Sequence, residues 1–123
     1  VGTSNKSELL LGYGTIFGDL ACAINPIGDI YKSDLFELAK YLGVNDNILK
    51  KAPSADFYEG QSDEADLGYS YSKIDSLLKK MIDENRSKDE LLALGFEDEF
   101  IETIKKRVKI NEFKRRLPIV AKI

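Results

Sequence analysis

The sequence predicts a mostly helical chain that is entered from the end of one strand. Three observations carry that expectation. Apolar residues recur at helical spacing in separate stretches, capping residues and glycines punctuate them, and only Val1 and Gly2 read as strand. With 123 residues and 43% hydrophobic side chains, there is material for one domain with a modest core, or for a piece of a larger one.

The first helix is expected over residues 5–17, where Leu9, Leu10, Tyr13 and Phe17 share a face. Asn5 followed three positions on by Glu8 is a capping-box variant. Gly12 and Gly14 inside this helix cost roughly 1 kcal/mol each against alanine, which implies close backbone packing. "NPIGDIYKSD" is a turn-rich connection shaped by Pro26 and Gly28. The clearest helix follows: Leu35, Leu38, Ala39 and Leu42 recur at i, i+3, i+4 and i+7, and Gly43 stops it. A short helix capped by Asp46 runs to Lys51 and ends before Pro53.

Residues 52–71 have no clean period and carry five acidic side chains between Asp56 and Asp66, so a long loop of the functional or mobile kind is expected there. A C-terminal helical region covers about residues 72–123. It begins with Ser72 capping a helix whose inner side holds Ile74, Leu77, Leu78, Met81 and Ile82. Ser87 and Glu90 make a capping box for a short helix closed by Gly95. A last helix runs from about Glu97, with Phe100, Ile101, Ile104 and Val108 apolar, until Pro118.

Composition excludes several functions. With no histidine, this chain holds no Ser-His-Asp triad and no histidine base or metal ligand. The lone Cys22 forms no internal disulfide, which fits a cytoplasmic setting, and no apolar run is long enough to span a bilayer. The net charge of −3 is uneven: residues 1–103 carry 10 basic and 20 acidic side chains, residues 104–123 carry 8 and 1. Such a basic tail serves an anionic partner or pairs with the acidic body.

Several stretches admit a chemical and a plain structural reading. A strand end feeding a helix through Thr3, Ser4, Asn5 and Lys6 gathers backbone N–H groups suited to phosphate, with Glu8 placed to offer an oxygen to Mg²⁺. Equally, Asn5 and Glu8 only cap the helix. Lys32 is either a phosphate-reaching point charge or a solvated lysine, and Ser54 is ordinary as part of a turn. Asp63, Glu64 and Asp66 lack the alternation of a calcium loop and read as a solvated face. The tail "KKRVKINEFKRRLP" suits nucleic acid, a nucleotide phosphate or plain solvation; within it Phe113 stacks on a base or anchors the segment to the core.

Taken together, "VGTSNKSELLLGYGTIFGD", "PIGDIYKSDLFELAKYLGV", "PSADFYEGQSDEADLGYSYSKID" and "FKRRLP" resemble the C-terminal half of the ammonia-dependent NAD synthetase family, in order and spacing. The resemblance implies an α/β, Rossmann-like ATP-pyrophosphatase fold, of which residues 1–123 are the mostly helical C-terminal part of a single domain, with residues 52–71 as a lid-like loop. It implies a cytoplasmic homodimer that makes NAD from deamido-NAD, ATP and ammonia through an adenylated intermediate, with Mg²⁺ as cofactor. It assigns ATP contacts to Thr3, Lys32 and Ser54, magnesium to Glu8, and a deamido-NAD contact to Lys114. Ile16, Ala23 and Phe113 stand at deamido-NAD positions where the family usually has lysine, aspartate and histidine. The family's pyrophosphate-binding loop has no counterpart from Val1 onward, so the missing N-terminal half would complete the site and this chain alone is expected to be inactive. No residue is assigned as catalytic.

Alternatives remain in view: the synthetase domain of a glutamine-dependent form, a helical nucleic-acid-binding module, or a dimerisation module built on Gly12 and Gly14. The net negative charge makes nucleic acid an unexpected partner.

Overall fold

The computed structural model describes residues 1–51, 63–117 and 120–122, with Asp63 and Glu64 described by their backbone. Ser54 and most of the expected lid-like loop therefore lie outside the described residues. The helices are α1 (Lys6–Leu11), α2 (Lys32–Tyr41), α3 (Asp46–Leu49), α4 (Asp63–Leu67), α5 (Tyr71–Leu78), α6 (Lys88–Ala93) and α7 (Asp98–Ile110). A π-helical turn, Lys79–Asp83, extends α5, and a 3₁₀ turn, Glu112–Arg115, follows α7.

Among the described residues there is no strand. Gly2 donates its N–H to the Ile24 carbonyl at 2.7 Å, but a strand needs a ladder of such pairings and none continues this one. The expected strand end is thus an extended lead-in to α1.

That first helix is shorter than its apolar pattern predicts. Gly12 adopts the left-handed conformation, φ +67°, and its N–H reaches back to the Glu8 carbonyl, which closes α1 after Leu11. Phe17 consequently lies beyond the helix and is 84% exposed rather than sharing its face. The close packing expected at Gly12 is real: a Cβ there would lie 2.2 Å from the Asn111 side chain. The approach is made by this chain's own C-terminal segment, so it gives no support to a dimerisation seam. Gly12→Ala is expected to lower stability by roughly 2–3 kcal/mol, combining left-handed strain with overpacking, and a chemical-denaturation midpoint will read it.

Local signals at the other helices fare mostly well. Both capping boxes form, Asn5 with Glu8 and Ser87 with Glu90. Gly43 and Gly95 take positive φ beyond α2 and α6, as stop residues do. Asn45, rather than Asp46, caps α3, and Ser70, rather than Ser72, caps α5. Past Leu78 the wider π turn rotates the chain, leaving Met81 half-buried and Ile82 39% exposed instead of inward. The last helix stops at Asn111, well before Pro118, because the following turn folds back onto α1.

The core lies between α1, α5, α6 and α7. Leu11, Ile74, Leu77, Leu78, Phe100 and Ile101 are fully buried, and Phe100 packs against Tyr69 at a ring separation of 4.5 Å. Burying each such side chain contributes about 1.5–3 kcal/mol. By contrast, α2 buries none of its residues, and Leu42 at its end is 67% exposed. Its helical period was legible, but its apolar stripe is only half covered among the described residues.

Candidate active site

The starts of α1 and α2 meet the first turns of α5. No side chain of α2's own N-cap, Tyr31, satisfies the first N–H groups of that helix. They are satisfied from elsewhere: Lys32 N–H donates to Ser7 Oγ at 2.9 Å, and Ser33 N–H donates to Asp75 Oδ2 at 2.8 Å. The Ser7 hydroxyl in turn donates to Asp75 Oδ1 at 2.5 Å, and both side chains are buried. A carboxylate facing a helix N-terminus is also favoured by the helix dipole. Tyr31 sits below, with the Lys6 ammonium 4.8 Å and the Lys79 ammonium 5.4 Å from its ring centre. Burial, with Asp83 nearby, pushes its phenol well above the usual range and keeps it neutral. Asp83 and Asp29 hold the Lys6 ammonium above its ordinary value.

On this base stand Glu8 and Lys32. One carboxylate oxygen of Glu8, Oε2, accepts the Asn5 N–H at 3.1 Å, while the other, Oε1, faces the Lys32 ammonium at 3.1 Å. Their side chains are 15% and 19% exposed, so the pair is largely removed from bulk water. Lys32 also lies 5.6 Å from the Tyr71 ring centre. Capping and charge pairing are thus compatible roles for one glutamate, because its two oxygens divide them. The donor set fits magnesium in kind: Glu8 provides a hard oxygen, Oε1 already faces a cation, and Mg²⁺ commonly takes only one or two protein carboxylates beside phosphates and water. Among the described residues no group of three or more acidic or cysteine side chains could hold a metal by itself.

The backbone at this corner is less open than the sequence implies. Gly2, Asn5, Lys6 and Glu8 already donate their N–H groups within the protein, Lys6 to the Ile30 carbonyl at 2.9 Å. Thr3 is exposed immediately ahead of α1. Ser54, expected from the resemblance to contact ATP, lies outside the described residues, and of the acidic run Asp66 accepts a bond from the Tyr13 hydroxyl at 2.9 Å.

Lys114 is not brought to this pair. It stands at the opposite end of α1, donating to the carbonyls of Gly12 and Gly14 at 2.8 Å each. Arg115 donates to the Leu9 and Leu10 carbonyls at 3.2 and 2.9 Å. Because α1 has no basic residue in its own last turn, these cations supply the charge that its dipole favours there. Part of the basic tail is therefore spent on backbone carbonyls of the protein's own body, rather than on the acidic side chains that the sequence offered as its partners. Phe113 is 58% exposed and does not anchor the tail in the core; Ala23 is exposed and Ile16 half-buried. Sequence reasoning missed Ser7 and Asp75 altogether. The available signal was an acid set directly beside Ile74 and three residues before Leu78, on an otherwise apolar helix face.

A mobile cation paired with a hard oxygen donor, both set at helix starts, belongs to the class of sites suited to a metal–phosphate ligand. The comparisons with known proteins narrow this. Residues 1–118 match the NAD synthase family. The chain belongs to that family. It is 54% identical over all 123 residues to the NH(3)-dependent NAD(+) synthetase of Wolinella succinogenes, covering 48% of that protein. Among solved structures it resembles the NMN synthetase of Francisella tularensis, at 36% identity and a TM-score of 0.80, over 99% of this chain and 46% of that one. It also resembles the NH3-dependent NAD synthetase of Campylobacter jejuni in complex with the nitrate ion, at 45% identity and a TM-score of 0.74, over 98% of this chain and 44% of that one. The chain spans about half the length of the curated relatives it matches. No helix among the described residues is long and apolar enough to cross a membrane.

Proposed function

We propose that this chain carries the ATP- and magnesium-facing part of an ammonia-dependent NAD synthetase. The whole enzyme would adenylate the carboxylate of deamido-NAD with ATP, release pyrophosphate, and let ammonia displace AMP. The observation that carries the reading is the Glu8–Lys32 pair, which sets an acid and a cation 3.1 Å apart in a sheltered corner. Glu8 would hold the magnesium ion, which neutralises phosphoryl charge when bound. Lys32 leaves Glu8 to meet a phosphate, and Thr3 and Ser54 contact the same nucleotide. Lys114 reaches the acid substrate from its present hold on the α1 carbonyls. The full domain has the Rossmann-like α/β form and works as a cytoplasmic homodimer. Family membership and the identity to ammonia-dependent relatives support this reading over a nucleic-acid or dimerisation module, and over the glutamine-dependent form.

A second reading concerns the acid substrate. Ile16, Ala23 and Phe113 depart from the residues expected to hold a dinucleotide, and the likeness to an NMN synthetase favours a mononucleotide acid instead. One experiment addresses both. The chain is joined to the upstream half of the Wolinella succinogenes relative and supplied with ATP, Mg²⁺, ammonia and either deamido-NAD or nicotinate mononucleotide. Magnesium-dependent formation of NAD is expected, with the 123-residue chain alone giving no turnover. A folded chimera inactive on both acids would reject the synthetase reading, NMN as the main product would select the second, and turnover by the chain alone would reject the half-site.

A further inference from the structure

We infer that Asp75, acting with Ser7, is a positioning residue that sets the Glu8–Lys32 pair without touching any ligand; this rests on the nucleotide reading of that pair. Three helices converge on one carboxylate. Oδ1 accepts the Ser7 hydroxyl at 2.5 Å, and Oδ2 accepts the Ser33 N–H at 2.8 Å. Ser7 Oγ then accepts the Lys32 N–H at 2.9 Å. Ser7 precedes Glu8 on α1, and Ser33 follows Lys32 on α2, so the network holds both neighbours of the pair by their main chain or hydroxyl. Asp75 and Ser7 are 1% and 0% exposed, which removes water as a substitute partner.

The cost of this arrangement argues for a purpose beyond cohesion. A buried carboxylate is expensive unless it is fully hydrogen-bonded, and an apolar residue would pack α5 against α1 at least as well. What an apolar residue cannot do is receive two donors from two helices and fix their relative register. The α2 helix gains from such a device, because its side chains are at most half-buried. Its N-terminus is held by these two hydrogen bonds beside the buried Tyr31 that precedes it, and Lys32 is its first residue.

The test uses the full 123-residue chain, with Asp75→Asn preserving shape and Ser7→Ala removing the hydroxyl. Amide hydrogen exchange is followed residue by residue, together with the NMR signal of the Lys32 ammonium. In Asp75→Asn the Lys32 and Ser33 amides are expected to exchange on the order of tenfold faster, and the ammonium signal to shift. The amides of α7 keep their protection. A purely structural role would instead accelerate α2 and α7 together and leave the ammonium signal in place, and either that outcome or unchanged Lys32 and Ser33 amides overturns the inference. Titration of the chimera with the upstream half, with ATP in the presence and absence of Mg²⁺, separates the two ideas. If the chimera binds Mg·ATP, Asp75→Asn in it is expected to bind roughly tenfold more weakly, equivalent to ~1.4 kcal/mol; unchanged affinity overturns the positioning role. If the folded chimera shows no binding, the nucleotide reading fails, and the exchange and NMR results decide by themselves whether Asp75 sets the pair.

Discussion

Phe100→Ala is expected to lower stability by about 3–5 kcal/mol, the largest loss from any single core truncation considered for this fold. Phe100 is fully buried, rests against Tyr69 at 4.5 Å and Phe96 at 6.4 Å between ring centres, and has Lys73 above its ring at 4.8 Å. Truncation therefore removes transfer free energy, leaves a cavity and discards two ring contacts together. Domains of this size hold only about 5–15 kcal/mol in reserve, so the variant should be partly unfolded at moderate temperature. Urea denaturation followed by circular dichroism checks this. A loss below about 1 kcal/mol would mean that α7 does not pack as described.

The largest functional effect is expected from Glu8→Gln. Glutamine at the third helical position still returns a hydrogen bond to the Asn5 N–H, so the capping box and α1 survive. What disappears is the negative charge that faces Lys32 and would face magnesium. In the chimera with the upstream half, the magnesium concentration needed for half-maximal rate should rise by at least the roughly tenfold that even outer-shell changes cost at metal sites. The melting midpoint should fall less than for Phe100→Ala, because the capping hydrogen bond is kept and only the charge facing Lys32 is lost. An unchanged magnesium profile would remove Glu8 from the metal, whatever happens to Lys32.

These expectations rest unevenly on what the sequence makes visible. Caps were legible because the groups involved lie three residues apart: Asn5 with Glu8 and Ser87 with Glu90 need no knowledge of the rest of the chain. The stops at Gly43 and Gly95 are local in the same way. The end of α1 was misplaced because Tyr13 and Phe17 continue the apolar period past Gly12. The left-handed glycine that closes α1 leaves no room for a side chain because Asn111, far away in sequence, lies against it. The turn that exposes Ile82 is likewise invisible to a count of 3.6 residues per turn.

At the candidate site, spacing left Glu8 and Lys32 open to plain readings and the family resemblance singled them out; the fold pairs them. It offered no reason to connect Ser7 with Asp75, whose hydrogen bond spans 68 residues. Polar groups that serve one another across such a separation carry no periodic signature, and only an acid out of place on an apolar face hints at them.

The clasp formed by Lys114 and Arg115 on the carbonyl end of α1 also bears on how the polypeptide is made. The Lys114 bond to Gly12 joins residues 102 positions apart. At a translation rate of 5–20 residues per second, the opening helix waits roughly 5–20 s on the ribosome before its cationic partners are synthesised. During that interval the carbonyls that Lys114 and Arg115 will reach are answered by water, and the corner bearing Glu8 is assembled without its distal brace. Nascent-chain stalling before the Lys114 codon should therefore leave the α1 segment readily cut by a protease, and release of the finished chain should protect it.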